Sequence, residues 1–301
     1  MKRILVAYDF SPHARRALAL ALSGVPFGTE VELDVIHVMD TSTGPRVERD
    51  APLPTENALT DYFNAEIQRV TTPERRLLRD PKFSIVHGRP MHELLVRASK
   101  YDGIMIGGQG HGGLAETFLG TTAMHVARES PVSVYVAKKA NTLSSPSRIL
   151  CAVDSDDGSR RALTEAHSLC VSCSATLSLM RAILQPPNVI AWPSLVPHLT
   201  KQTAEAERAT LITFEQQTLG RTFAKEHTVQ ISRGGIAADI THRAALDRAD
   251  TIVVGARNDA FAKRLLGSVS ESVIQQAGCD VYVVRRSRAT IRTYWTLAGA
   301  R

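Results

Sequence analysis

Five glycines fall within the seven positions from Gly107 to Gly113, directly after the apolar run Ile104-Met105-Ile106. Gly120-Thr121-Thr122 follows, with nine residues between Gly110 and Gly120. Glycine lacks a Cβ, so such a segment lets a ligand touch the backbone and exposes amide N–H groups. Amides of that kind, followed by the open N-terminus of a helix, form an anion site suited to phosphates. In this reading Gly107 and Gly110 supply the loop and Gly120 starts the helix. The hydroxyls of Thr121 and Thr122 add hydrogen bonds to phosphate oxygens, and Asp9 accepts one from an adenine amino group or a ribose. Gly108, Gly112 and Gly113 read as slack that shapes the loop.

Competing chemistries fit less well. Gly108, Gly110 and Gly113 spell G-x-G-x-x-G, but they follow a fourth strand, which leaves one strand to supply the ribose-binding acid of a dinucleotide site. The chain has no Gly-Lys pair for a Walker A loop and no G-x-S-x-G elbow. His167, Cys170 and Cys173 recur every three residues, and a C-x2-C can bind metal or cycle between redox states. The second ligand pair of a closed zinc site is missing, and so is any counterpart in the first half, so these read as helix-packing side chains. His37 and His87 end strands and read as hydrogen-bonded structural histidines. His111 lies in the glycine loop without a convincing catalytic partner.

The elements that must position these residues are written twice. "RILVAYDFSPHARRAL" (3–18) and "RILCAVDSDDGSRRAL" (148–163) share Arg-Ile-Leu, an Ala, an Asp and Arg-Arg-Ala-Leu at an offset of 145. Val134-Tyr135-Val136 and Val281-Tyr282-Val283 repeat at an offset of 147. The polar "ANTLSSPS" between the copies reads as a linker, which gives domains at 1–142 and 148–286 and a basic tail at 287–301. In the first copy β-branched runs predict strands at 3–8, 31–38, 82–87, 103–107 and 132–136. Helices are predicted at 12–23, 55–79, 90–100 and 121–129, with a kink at Thr71-Thr72-Pro73 in the second. Strand and helix alternate throughout, so each copy is predicted to be a doubly wound α/β domain with a five-stranded parallel sheet covered on both faces. Ligands bind such sheets outside the carboxyl ends of the strands. Asp9, His37-Val38 and Ile106-Gly107 are therefore expected to border one crevice.

Composition narrows the classes further. At 301 residues with 44% hydrophobic and 22% charged residues, the chain has the make-up of a globular protein with two cores. No run is long enough to span a membrane, and "MKRILVAYDF" fits neither a spanning helix nor a signal peptide. Cys151, Cys170, Cys173 and Cys279 are too few for a disulfide framework and read as free thiols. The expectation is a cytoplasmic protein. The net charge of +6 is scattered, so nucleic acid is unsupported. Arg285, Arg286, Arg288 and Arg292, ahead of Tyr294 and Trp295, read as a solvated tail. The loops at 41–55 and 185–197, the latter with Trp192, are rich in proline and differ between the copies.

Gly107, Gly110, Gly120 and Thr121 have the spacing G-x2-G-x9-G-[ST]. With "LVAYDFS", "IHVMD" and "HGRPMHELLVRASKYDGIMIGG", the chain resembles the universal stress protein family in its tandem two-domain form. That resemblance implies a Rossmann-like sandwich of the adenine-nucleotide α-hydrolase type, and ATP or a related adenine nucleotide as ligand, with magnesium as a possible companion. It implies that Ala7, Asp9 and Val38 frame base and ribose and that Gly107, Gly110, Gly120, Thr121 and Thr122 hold phosphates. Gln109 and His111 then stand at the loop edge, and Ala123 replaces a hydroxyl residue common in the family. The second copy keeps Asp154, Gly255, Gly267, Ser268 and Ser270, but Asn258 replaces a glycine and its loop is one residue shorter, which implies a weaker site. Terminal strands closed by Lys138-Lys139 and Arg285-Arg286 imply a pseudo-dimer of the two copies within one chain, with a homodimer also open. The functional expectation is a nucleotide-binding regulator or scaffold of the stress response with an unknown protein partner. Two alternatives stand beside it: a slow ATPase or nucleotidyl-transferring enzyme using His111 and Glu116, and an interaction module that has lost its ligand.

Overall fold

The structure is a computed structural model that describes residues 1–40, 55–71, 80–110, 119–140, 142–184, 196–232, 235–256 and 266–286, with backbone alone for 196–200. Most of both proline-rich loops, Trp192 and the tail at 287–301 lie outside the described residues; Arg285, read above as part of a solvated tail, is instead buried next to the end of the last strand. The described chain divides into two compact units, Met1–Ser145 and Pro146–Arg286.

In the first unit strands β1 (Lys2–Ala7), β2 (Val31–Asp40), β3 (Lys82–Gly88), β4 (Gly103–Gly107) and β5 (Ser133–Ala137) alternate with helices. These are α1 (Pro12–Leu22), α2 (Glu56–Val70), α3 (Pro90–Ala98) and α4 (Thr121–Glu129). The strand order is β3-β2-β1-β4-β5, and the pairings are parallel. Ile4, Leu5 and Val6 on β1 are each at most 1% exposed, as a central strand covered on both faces requires. β3, at the sheet edge, has only exposed and half-buried residues. Sequence order runs outward from β1 through β2 on one side and through β4 on the other. The crevice of a doubly wound sheet therefore opens between the carboxyl ends of β1 and β4.

α1 starts where Ser11 caps it through a hydrogen bond from the Ala14 amide and Pro12 occupies the first turn. Its buried Ala14, Ala17 and Ala21 let it lie close against β4. α2 was expected to reach residue 79 with a kink, but it ends at Val70. Thr71 turns to an extended φ of −80° and ψ of 124°, and its amide closes on the Ile67 carbonyl at 2.9 Å. A proline two places further on lacks a donor and disfavours helix in the residue before it, which agrees with an interruption at this point; residues 72–79, Pro73 among them, lie outside the described residues. Phe63 on α2 stacks on Phe83 of β3 at 4.2 Å. Glu66, also on α2, is fully buried and accepts hydrogen bonds from Arg15 at 2.5 Å, Arg69 at 2.8 Å and the Tyr8 hydroxyl at 3.3 Å.

The second unit repeats the plan. Its strands are β6 (Arg148–Ala152), β7 (Thr176–Leu184), β8 (Glu226–Ser232), β9 (Thr251–Gly255) and β10 (Asp280–Val284), in the order β8-β7-β6-β9-β10. Its helices are α5 (Asp157–Cys173), α6 (Val196–Leu219), α7 (Ile236–Leu246) and α8 (Ser268–Gln276). The expected pair of doubly wound five-stranded sheets is what the chain forms. Glu215 is the buried carboxylate of α6, as Glu66 is of α2. Its partners differ: the Phe223 and Ala224 amides at 3.0 and 2.7 Å, and His227 Nε2 at 2.8 Å.

Candidate functional site

The carboxyl ends of β1, β2 and β4 and the start of α4 enclose a cavity of about 450 Å³ in the first unit. Ala7, Asp9, Val38, Gly107, Gln109, Gly110, Gly120, Thr121 and Thr122 all line it, so residues far apart in sequence converge on one space. His111 and Glu116 lie outside the described residues, as do Gly112 and Gly113. Tyr8, Ile36, Ile106, Pro90, Leu94 and Leu119 complete an apolar floor and wall that the spacing of the glycines did not disclose.

Each polar wall has a local cause. After β1 the chain turns through Phe10, which has a left-handed φ of 64°. That conformation is costly for a bulky residue and persists where surroundings over-determine it. Here the ring packs against Tyr8, His37, Tyr62 and Phe83, with centroids 4.9 to 6.4 Å away. The turn brings Asp9 Oδ1 within 3.0 Å of the Ser11 amide and lays the carboxylate against Gly110, where a Cβ would stand 2.7 Å from Oδ2. The Ser11 hydroxyl accepts from Ala14 N–H at 3.1 Å and donates to the Gln109 carbonyl at 3.0 Å. A residue that the sequence marks as a helix cap thus also ties down the loop.

Gly108, read above as slack, is instead tied at both ends. Its amide donates to the Ala137 carbonyl at 2.7 Å, and its carbonyl accepts from the Gly120 amide at 2.7 Å. This peptide joins the tip of β5 to the start of α4 and lines the cavity. α4 opens on Gly120 with φ −65° and ψ 146° and no side-chain cap. The amides of Thr121, Thr122 and Ala123 in its first turn have no acceptor within the helix, and the helix dipole adds partial positive charge there. The arrangement can receive an anion at the helix end and an apolar, planar group against Ile36, Ile106 and Leu94.

The titratable neighbours are held in fixed states. Burial, then Glu66, pushes the Tyr8 phenol well above its usual range, so it remains a neutral donor. Burial opposes ionisation of Glu66, but hydrogen bonds from Arg15, Arg69 and Tyr8 and the charge of Arg15 outweigh it and hold that carboxyl below its usual range. His37 Nδ1 lies 2.8 Å from the Tyr8 carbonyl, which can only accept, so the proton sits on Nδ1 and the ring is structural as expected. His87 faces Glu56 at 3.7 Å on the surface. Burial pushes Cys170 up to about 12 and raises Cys173, so both are thiols, and all four cysteines are free. Among the described residues no group of three or more His, Cys, Asp or Glu is placed to hold a metal ion.

The second unit keeps the plan and changes the chemistry. Its cavity is about 140 Å³ and is lined by Asp154, Asp156, Gly255, Gly267, Ser268 and Ser270, with Met180, Ile236 and Ile240 among the apolar residues. α8 opens on Gly267 with φ −65°, ψ 149° and no cap, as α4 does on Gly120. Asp154, exposed, takes the Ser155 amide at 2.8 Å and lies 3.5 Å from Arg181. Ser270 donates its hydroxyl to the Gly255 carbonyl at 3.0 Å, a bond inside the protein. Asn258 lies outside the described residues.

The model of the universal stress protein family matches residues 1–138 and again 146–285, nearly the whole of both units. The chain belongs to the universal stress protein family. A universal stress protein encoded in the 3′ region of a QAH/OAS sulfhydrylase in Thermus aquaticus is 28% identical over 138 residues, 46% of this chain and 97% of that protein. Two solved structures share the fold across the whole tandem chain. One, a functionally unknown protein from Pseudomonas aeruginosa PAO1, has a TM-score of 0.64 at 16% identity and covers 100% of this chain and 98% of its own. The other, a putative universal stress protein from P. aeruginosa UCBPP-PA14, has a TM-score of 0.63 at 17% identity, with 99% and 98% covered. In this universal stress protein no helix among the described residues is long and apolar enough to cross a membrane.

Proposed function

We propose that the first unit binds an adenine nucleotide, ATP or a close relative, and that the protein acts as a nucleotide-dependent regulator or scaffold in the stress response. The observation that carries the reading is the convergence of nine separately expected residues on one cavity of about 450 Å³, with the uncapped turn of α4 at one end and apolar side chains at the other. Phosphates lie at Gly107, Gly110, Gly120, Thr121 and Thr122, with Gln109 at the loop edge. Base and ribose lie between Ala7, Val38 and Asp9. Solved universal stress proteins hold adenine nucleotides, cAMP in one and dAMP in another, from Archaeoglobus fulgidus. Any magnesium ion would ride on the nucleotide's own phosphates, since the described walls present one carboxylate, Asp9.

The test is calorimetric titration of the purified, nucleotide-stripped chain with ATP, beside mass spectrometry of whatever the untreated protein releases. Binding is expected in the wild type and lost in Gly120→Asp, whose carboxylate would stand where phosphate approaches. An untouched chain that releases no nucleotide and takes up none would overturn the proposal. Turnover of labelled ATP above the Gly120→Asp background would convert the regulator into a slow enzyme.

A further inference from the structure

We infer that Ser11 is a specificity-determining positioning residue for the first cavity and that Asp156, its counterpart in the repeat, shuts the second cavity to phosphate, so that the chain holds one nucleotide. The inference rests on the nucleotide reading of the first unit. Ser11 is 1% exposed and neutral, and its single hydroxyl serves two partners, capping α1 and donating to the Gln109 carbonyl. The second bond fixes the Gln109-Gly110 peptide, which forms a wall of the cavity and packs on Asp9.

At the same place in the second unit, Asp156 caps α5 by accepting the Ser159 amide at 2.7 Å. As a cap it is equivalent, because serine and aspartate cap helices equally well. As a wall it is opposite. A carboxylate has no hydrogen to donate to a loop carbonyl, and its charge faces the cavity. Asp154, which lies 3.5 Å from Arg181, lines the same space, so among the described lining residues the second cavity has two carboxylates in about 140 Å³ and the first has Asp9 alone in about 450 Å³. The helix termini are alike in the two units, so the amide donors do not distinguish them. Charge and space do.

The repeat therefore supplies its own swap. Ser11→Asp puts the second unit's cap into the first: the helix keeps its cap, the donor to Gln109 is lost, and a negative charge appears beside the loop. Calorimetry on the full chain with ATP is expected to give one site per chain in the wild type. Ser11→Asp should weaken it about tenfold to a hundredfold, the joint effect of losing the part-buried hydrogen bond to Gln109 and placing a carboxylate beside the loop. Its melting temperature without ATP is expected to fall even though the cap survives, because a carboxylate replaces a hydroxyl that is 1% exposed and lies beside Asp9. Ser11→Thr, which keeps the hydroxyl, should restore binding. Two sites per chain would overturn the inference, as would ATP binding by Ser11→Asp at wild-type affinity. So would a single site abolished by Gly267→Asp and untouched by Gly120→Asp, a comparison that decides the matter even if Ser11→Asp melts early. No binding at all would instead overturn the nucleotide reading.

Discussion

A Cβ on Gly107 would stand 2.6 Å from the Ala14 amide nitrogen, closer than real Cβ atoms come to other atoms, while one on Gly120 would stand 3.4 Å from the Gly108 carbonyl. The first position is glycine because the tip of β4 rests on the first turn of α1. The second, with φ of −65°, would accept any residue as far as the backbone is concerned, yet its missing Cβ points at the Gly108–Gly110 loop across the anion end of the cavity. Gly107→Ala is therefore expected to destabilise the first unit by about 1–3 kcal/mol through overpacking. Gly120→Ala should leave stability within about 0.5 kcal/mol and weaken ATP. Urea unfolding paired with calorimetry separates the two. Equal stability losses would show that both glycines serve packing alone.

At the scale of elements, α2 is fastened to the sheet by one buried carboxylate. Glu66 is held below its usual range in the folded chain, so the unfolded chain takes up its proton at a higher pH. The stability it contributes is complete above the ordinary carboxylate value of about 4.3 and is lost as pH falls through the lower folded value. Glu66→Gln should cost about 1–3 kcal/mol at pH 7 and flatten the loss of stability between pH 7 and acid, read from urea unfolding at both. An unchanged acid slope would remove Glu66 from the account. This anchor was not legible in the sequence: nothing local joins Tyr8, Arg15 and Glu66, which meet only when α2 packs. The strands and helices were legible because apolar runs, Ser11-Pro12 and Gly88-Arg89-Pro90 act within a few residues. The end of α2 at Val70 was not, since the helical pattern runs on past it. In the site, glycine spacing pointed to the loop and helix start. The apolar wall, the bond from Ser11 to Gln109 and the caged turn at Phe10 depend on contacts between distant segments, and they show only in the fold.

For the whole molecule, duplication has produced two units with the same strand order and different cavities, and the proposed function predicts that a single nucleotide acts on them unequally. A ligand that binds the folded state stabilises it by an amount set by its concentration over its dissociation constant, about 2.7 kcal/mol at a hundredfold excess. If nucleotide enters the first unit alone, that stabilisation falls on the amides whose opening breaks the first cavity. Saturating ATP is accordingly expected to slow hydrogen exchange at Gly108 and Gly120–Ala123, the peptides that join β5, the loop and α4. Exchange at Gly267–Ser270, which opens α8 in the same way, should stay at its nucleotide-free rate. Mass-spectrometric exchange reports both segments in one sample, so each chain carries its own control. Matching protection in the two segments would mean that the second cavity accepts nucleotide despite Asp154 and Asp156. The charge at the α5 cap would then have no say in what binds.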